Sequence, residues 1–295
     1  MTDQATSYAQ LRPLMFAIAY RMVGSVVDAE DIAQEALLRM HRDTTTVESP
    51  DAYAATVTTR LAIDHLRSAR VRREQYVGTW LPEPLLGTDE SRDPAVRTEY
   101  DEHLSMAFLA TLERLSPVER AVFLLREVFA YDYDMIAVVV GKTAANCRQI
   151  LARARAHIDA GRPRFEVSPE RRDELARRFL AACRAGELAE LETLLAHDVR
   201  FYADGNGRPP AVTRPVIGRA RVARFLLGLF RQAGRDALRV EPRLVNGQPG
   251  ARVLDEHGRL RAVFAVQITG ADGDPCVEAI HTIVSPEKLR HLQDR

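Results

Sequence analysis

The chain has 295 residues, 46% of them hydrophobic and 28% charged, an ordinary globular composition with length for two or three units that each bury a core. Its 41 Lys and Arg balance its 41 Asp and Glu, so whole-chain charge announces no nucleic-acid partner, and any such role must come from how charge is distributed. Cys147, Cys183 and Cys276 lie far apart without CxxC spacing, which excludes a disulfide framework and a zinc site and fits a reducing cytoplasm. The polar start MTDQATSYAQ is no signal peptide and no apolar run reaches the length of a membrane span, so no membrane partner is expected, and no cofactor.

Leu11, Leu14, Met15, Ile18, Ala19 and Met22 form an apolar stripe at helical spacing. A second helix, Val27 to Arg42, opens with Asp28, Glu30, Asp31 and Glu35 and reaches Arg39 and Arg42 only later. That order suits the helix dipole, and it also concentrates an acidic face able to dock on a basic protein. Ser49-Pro50 starts a third helix, with the serine as cap and the proline in the first turn. It runs from Asp51 to Tyr76 with core positions Tyr53, Val57, Leu61 and Leu66. Its second half carries Arg60, Arg67, Arg70, Arg72 and Arg73 against Asp64 and Glu74. A basic stripe continuing a packed helix favours phosphate contact over a merely solvated face.

Gly78, Pro82, Pro84, Gly87 and Pro94 rule out a long helix between Tyr76 and Arg97. Yet Trp80 and Leu85-Leu86 make this spacer too apolar to be free in solvent, so it is expected to dock. Ser116-Pro117 with Glu119 forms a capping box for a helix from Val118 to Phe129. Ile136, Ala137 and Val140 then give a short helix its apolar face, Gly141 permits a tight turn, and Thr143 caps the helix that follows. Cys147, Leu151 and Ala154 recur on one face of that helix, while Asn146, Arg148, Gln149, Arg153 and Arg155 point away. This is the layout of a DNA-reading helix-turn-helix, with an ordinary helical hairpin bearing a solvated basic face as the alternative.

GRPRFEVSPE, after Ala160, reads as a domain break. Beyond it come helices at Glu170 to Arg184 and around Leu188 to Leu195, a strand at Val199 to Tyr202, and the turn-rich loop Ala203 to Arg208. Another helix presents Val222, Phe225, Leu226 and Leu229. The period then changes to two, through Leu238 and Val240, Leu260 to Ile268, and Val277 to Ile283. Helices followed by a meander of antiparallel strands read as an α+β unit.

Two stretches carry a family resemblance. AEDIAQEALLRMHR (Ala29 to Arg42) with TRLAIDHLRSARVRRE (Thr59 to Glu74) resembles the promoter-melting region of group IV, extracytoplasmic-function sigma factors of the sigma-70 family, and Leu112 to Ala156 is similar to their second conserved region. WLPEP (Trp80, Leu81, Pro82, Glu83, Pro84) resembles the linker signature of the subgroup with a C-terminal SnoaL-like cone-fold extension. That subgroup's DGGGK-type loop is matched in altered form by Asp204 to Arg208, and its NPDKL-type tail by Ser285 to Leu289.

The resemblance implies a multidomain chain of two all-α sigma domains, the second a helix-turn-helix, followed by an α+β SnoaL-like cone-fold domain. The implied boundaries are residues 1-75 for region 2, 76-102 for the linker, 103-161 for region 4, 169-286 for the SnoaL-like domain and 287-295 for a tail. Asp28, Glu30, Asp31, Gln34 and Glu35 would bind the β′ clamp helices of RNA polymerase core. The loop Asp43 to Glu48, with hydroxyls from Thr44, Thr45 and Thr46, and the helix from Pro50 would capture an unpaired minus-ten base while the arginine stripe tracks the strand. Asn146, Arg148 and Gln149 would face the minus-thirty-five duplex, with Lys142, Arg153 and Arg155 nearer phosphates. Trp80 to Pro84, Asp204, Asn206, Arg208, Pro286 and Lys288 would form the regulatory contact through which the extension acts on its own sigma factor.

Asp204 and His281 are the acid–base candidates that cone-fold enzymes would suggest, but an Asp in DGNG suits a turn and a His alternating with apolar residues suits a strand, so no catalytic residue is assigned. A pocket ligand of unassigned identity completes the expected partners. Two other functions fit parts of the chain: a helix-turn-helix regulator with a small-molecule sensor, and a SnoaL-like enzyme tethered to DNA. Neither needs the acidic Asp28 to Glu35 face.

Overall fold

The computed structural model describes residues 10–42, 49–74, 76–87, 104–158, 167–208, 211–270 and 274–293. The chain divides into two compact units, Met1–Gln75 with Leu109–Gly161, and Tyr76–Phe108 with Arg162–Arg295.

In the first unit, α1 (Arg12–Val23), α2 (Val26–Arg42) and α3 (Pro50–Glu74) pack around Met15, Ala33, Ala36, Met40 and Ala54. The packing differs from the expected register of α3. Leu66 is buried as expected, but Tyr53, Val57 and Leu61 flank this core half-buried, and Ala54, Ala55, Ala62 and Ile63 are buried instead. Three alanines on that face let neighbouring helices approach closely, and the larger side chains seal the margins.

The same unit contains α5 (Pro117–Glu127), α6 (Tyr133–Val140) and α7 (Ala144–Ile158); α4 (Met106–Leu112) precedes them at the border between units. Ser116 and Glu119 close the expected capping box. The short α6 buries Ile136 and Val139, with Ala137 and Val140 only partly covered, a small shift from the expected face. Gly141 ends α6 at φ 65, a left-handed angle that glycine adopts without strain. Thr143 Oγ1 then accepts from Asn146 N at 3.2 Å, starting α7. Arg120 is buried on α5, where its guanidinium donates to Met22 O at 2.5 Å and to Glu113 at 2.7 Å. It thereby satisfies a free carbonyl at the end of α1 and ties the two helical groups into one unit.

The second unit is α+β. Helices α8 (Pro169–Ala185), α9 (Leu188–Leu194) and α10 (Arg219–Arg235) lie against a six-stranded sheet ordered β2-β1-β6-β5-β4-β3. The strands are β1 (Leu195–Asp204), β2 (Val216–Ile217), β3 (Arg239–Val245), β4 (Gln248–Leu254), β5 (Leu260–Thr269) and β6 (Cys276–Ile283). The helix α11 (Pro286–Leu289) follows. Strands β3 to β6 form the expected antiparallel meander, but β1 joins β6 in parallel. Strand β4 escapes the alternation pattern because it opens Gln248-Pro249-Gly250, a poor strand signal. Gly250 is required there: a Cβ would sit 2.1 Å from Phe264 O, so the two backbones approach where no side chain fits.

Candidate functional site

The residues singled out by sequence fall on three surfaces. On α2, Asp31 and Gln34 are exposed, while Asp28, Glu30 and Glu35 are half-buried. Glu30 pairs with Arg12, Glu35 accepts from Arg39 Nε at 2.8 Å, and Asp28 lies 3.5 Å from His65 Nε2. Val27 and Leu38 are exposed on the same helix at 51% and 43%. Val27, Asp31, Gln34 and Leu38 recur every three or four positions, so they form one strip with acidic and polar groups between apolar ends.

The second surface joins α3 to the helix-turn-helix. Lys142, Asn146, Arg148, Gln149, Arg153 and Arg155 are all exposed, and the opposite face of α7 buries Cys147, Ile150, Leu151, Ala154 and Ile158. Arg148 lies over the Tyr133 ring at 4.8 Å, and Arg155 pairs with Glu127 at 2.8 Å, so two of these cations are held in place. Arg60 is committed differently from expectation: it donates to Val138 O at 2.7 Å and Val139 O at 3.1 Å, covering the last carbonyls of α6. A cation suits that negative helix end. Arg67 stays near Asp64 at 3.4 Å. Thr44, Thr45 and Thr46 lie outside the described residues, as do the side chains of Arg70, Arg72 and Arg73.

The third surface is a clasp on the linker, built within the second unit around Asp204. This carboxylate ends β1 and is fully buried. It accepts from Leu81 N at 2.7 Å, from Lys288 Nζ at 2.7 Å, and from the Tyr76 hydroxyl. Lys288 also donates to Leu81 O, and its ammonium sits 4.3 Å from the Trp80 ring centroid and 4.9 Å from that of Tyr76. A buried ion pair is tolerable only when its remaining hydrogen-bonding capacity is filled, and here linker backbone fills it on both sides. Burial first, then the bond to Asp204 and the carboxylate charge, push the Tyr76 phenol well above its ordinary pKa, so it remains a donor.

The linker is fastened again further along. Leu85 N donates to Asn246 Oδ1 at 2.9 Å, Asn246 N to Leu85 O at 2.8 Å, and Gly87 N to Leu244 O at 2.9 Å. Leu86 thereby bridges Val245 on the edge strand β3. Asn246 Nδ2 also donates to Leu104 O at 3.1 Å, beyond the linker's far end, and His291 Nε2 lies 2.9 Å from Pro84 O. Of the residues expected at this contact, Trp80, Leu81, Pro84, Asp204 and Lys288 converge, and Pro82 is buried beside them. Glu83 lies 3.9 Å from His291, and Asn206 takes part through its backbone N–H, 3.4 Å from Asp204 Oδ1. Arg208 instead pairs with Glu287 at 3.2 Å, and Pro286 lines a cavity. Tyr76, Asn246 and His291 were missed. Asn246 was legible only as the NG turn, and nothing in its neighbours signals the second role.

Asp204 and His281 do not line the cone-like cavity of this unit. Phe201 and Ala203 on β1, and Ile280 and Thr282 on β6, point into it, so the alternate residues Asp204 and His281 face the other side of the sheet. His281 stacks on Tyr202 with centroids 5.1 Å apart, and burial holds its imidazole down to about 4. The cavity has a volume of about 700 Å³.

Comparison with known proteins agrees with this architecture. Residues 7–72 match the family Sigma-70 region 2, and residues 105–158 match Sigma-70, region 4. The chain is 38% identical over 292 residues to ECF RNA polymerase sigma factor SigJ of Mycobacterium tuberculosis (strain ATCC 25618 / H37Rv), covering 97% of this chain and 93% of that protein. It is 33% identical over 285 residues to the probable ECF RNA polymerase sigma factor SigI of M. tuberculosis (strain CDC 1551 / Oshkosh), covering 96% and 93%. The crystal structure of M. tuberculosis extracytoplasmic function sigma factor SigJ superposes with a TM-score of 0.77 at 35% identity, over 97% of this chain and 98% of that one. With both sigma-70 regions matched and the likeness to a curated relative extending over 97% of its length, the chain belongs to the extracytoplasmic-function RNA polymerase sigma factors.

Proposed function

We infer that the protein directs promoter-specific initiation by RNA polymerase and that its C-terminal domain controls this activity by holding the linker between the two sigma regions. The single observation that carries the control is the clasp. Trp80, Leu81 and Tyr76 are bound to Asp204 and Lys288, residues more than a hundred positions downstream. In this reading the exposed α2 strip meets the β′ clamp helices, where the apolar Val27 and Leu38 supply contact area and Asp31 the charge. The outer face of α7 enters the minus-thirty-five major groove, and α3 with the loop before it takes the minus-ten strand. Arg60 cannot track a phosphate backbone while it covers the end of α6, so promoter engagement exchanges those two carbonyl bonds for phosphate contacts.

The extension acts by binding rather than by turnover. Five phenylalanines line the cavity, and the acid–base candidates Asp204 and His281 face away from it. Run-off transcription with core polymerase, on a promoter selected by the protein, tests the reading. Initiation is expected, with Asp31→Lys abolishing core binding; failure of the full chain to bind core would favour a DNA-binding regulator instead.

A further inference from the structure

The cavity and the linker clasp share their walls. The cavity is lined by Phe179, Phe201, Phe225, Phe230 and Phe264 with aliphatic neighbours, a setting for rings. Its charged lining balances, Arg208, Arg259 and Arg261 against Asp236, Asp255 and Glu256, and Asp255 already pairs with Arg259 at 2.8 Å, which favours a ligand without net charge. Several wall residues lie within two positions of a clasp residue. Ala203 lines the cavity and Asp204 holds the linker; Pro286 and Leu289 line the cavity, and Lys288 between them reaches Asp204 and Leu81. Val284, another wall residue, donates its N–H to Asp204 O at 2.8 Å. The loop between is tight, since a Cβ on Gly205 would fall 2.4 Å from the Ala211 side chain, and Gly207 backs directly onto Val77 of the linker.

We propose that this cavity binds an uncharged, ring-bearing apolar small molecule, and that the bound molecule tightens the clasp on the linker. The proposal rests on the regulatory reading above and adds the ligand class and the sign of its effect. Pro286 and Leu289 of α11 and Arg208 of the Asp204–Arg208 loop wall the cavity, and the same two segments carry the clasp residues Lys288 and Asp204. A ligand touching Ala203, Pro286 and Leu289 therefore binds the clasped form better than the open one, and differential binding of this kind shifts the population toward it. Linkage makes the effect reciprocal: opening the clasp must weaken the ligand by the same factor.

The test uses the full chain and the neutral fluorophore N-phenyl-1-naphthylamine. Saturable single-site binding is expected, weakened at least tenfold by Leu229→Trp on the helix side of the cavity and by Ala262→Trp on the sheet side. Trp80→Ala and Lys288→Ala, which leave the lining intact, should each weaken binding several-fold, and the probe should slow chymotryptic cleavage at Trp80. Circular dichroism confirms that each variant is folded, and the Trp80 variant alone suffices should the Lys288 variant unfold. Absence of saturable binding, or indifference to both cavity-filling variants, overturns the site. Binding that Trp80→Ala leaves unchanged overturns the coupling. Neither readout involves polymerase, so their failure leaves the transcription result standing, and a failed transcription assay leaves the binding result standing.

Discussion

Lys288 and Asp204 form a buried pair that shares its remaining capacity chiefly with linker groups, so each charge depends on the other for compensation. Removing one partner strands the other charge away from water, and Lys288→Met or Asp204→Asn should each cost about 3–5 kcal/mol in urea unfolding. The double variant should lose clearly less than the sum, because no charge is left unpaired. His281 contributes at the same scale through protonation. Folded, it is held down to about 4; unfolded, it titrates near its ordinary 6.5. The unfolded chain therefore binds a proton through a window in which the folded chain refuses it. Stability should be constant with respect to this group above that window and fall by about 3 kcal/mol as pH drops from 6.5 to 4. His281→Phe, which keeps the stack on Tyr202, should flatten that dependence when unfolding is compared at pH 7 and pH 5.

The helices were legible in the sequence because their signals are local. Ser116 with Glu119, Gly141 and Thr143 mark termini by chemistry that acts within a turn, and all of them hold in the structure. Strand β4 was not legible, since Pro249 and Gly250 are explained only by the Phe264 backbone fourteen residues away. Gly250→Ala should accordingly destabilise the C-terminal domain by about 1–3 kcal/mol through overpacking, seen as a lowered melting temperature. The parallel β1–β6 pair was equally hidden, because alternation reveals strands but not their partners. The clasp was half legible: Trp80, Leu81, Asp204 and Lys288 stood out as motif residues, whereas Tyr76 and Asn246 join them only through the fold. The recognition helix α7 carries its own prediction. Arg148→Ala should cost about 1–3 kcal/mol on a selected promoter and relax its sequence preference, while Arg153→Ala should weaken all duplexes alike and lower the salt slope by about 1.

Across the whole molecule, the linker is the only covalent path between the sigma regions, and its described residues belong to the C-terminal unit. Tyr76 and Trp80 are held at one end of the segment, Leu85 to Gly87 midway, and Leu104 beyond it. In the proposed function, such fastening restricts how regions 2 and 4 can be spaced, and promoter elements separated along DNA demand a particular spacing. The clasp, not the sigma regions themselves, is therefore the proposed point of control. Run-off transcription with core polymerase measures this most directly, comparing the full chain with a chain ending at Gly161, each with and without Trp80→Ala. The account predicts that Trp80→Ala changes initiation several-fold in the full chain and leaves the shortened chain unaffected. An equal effect of Trp80→Ala in both would contradict it.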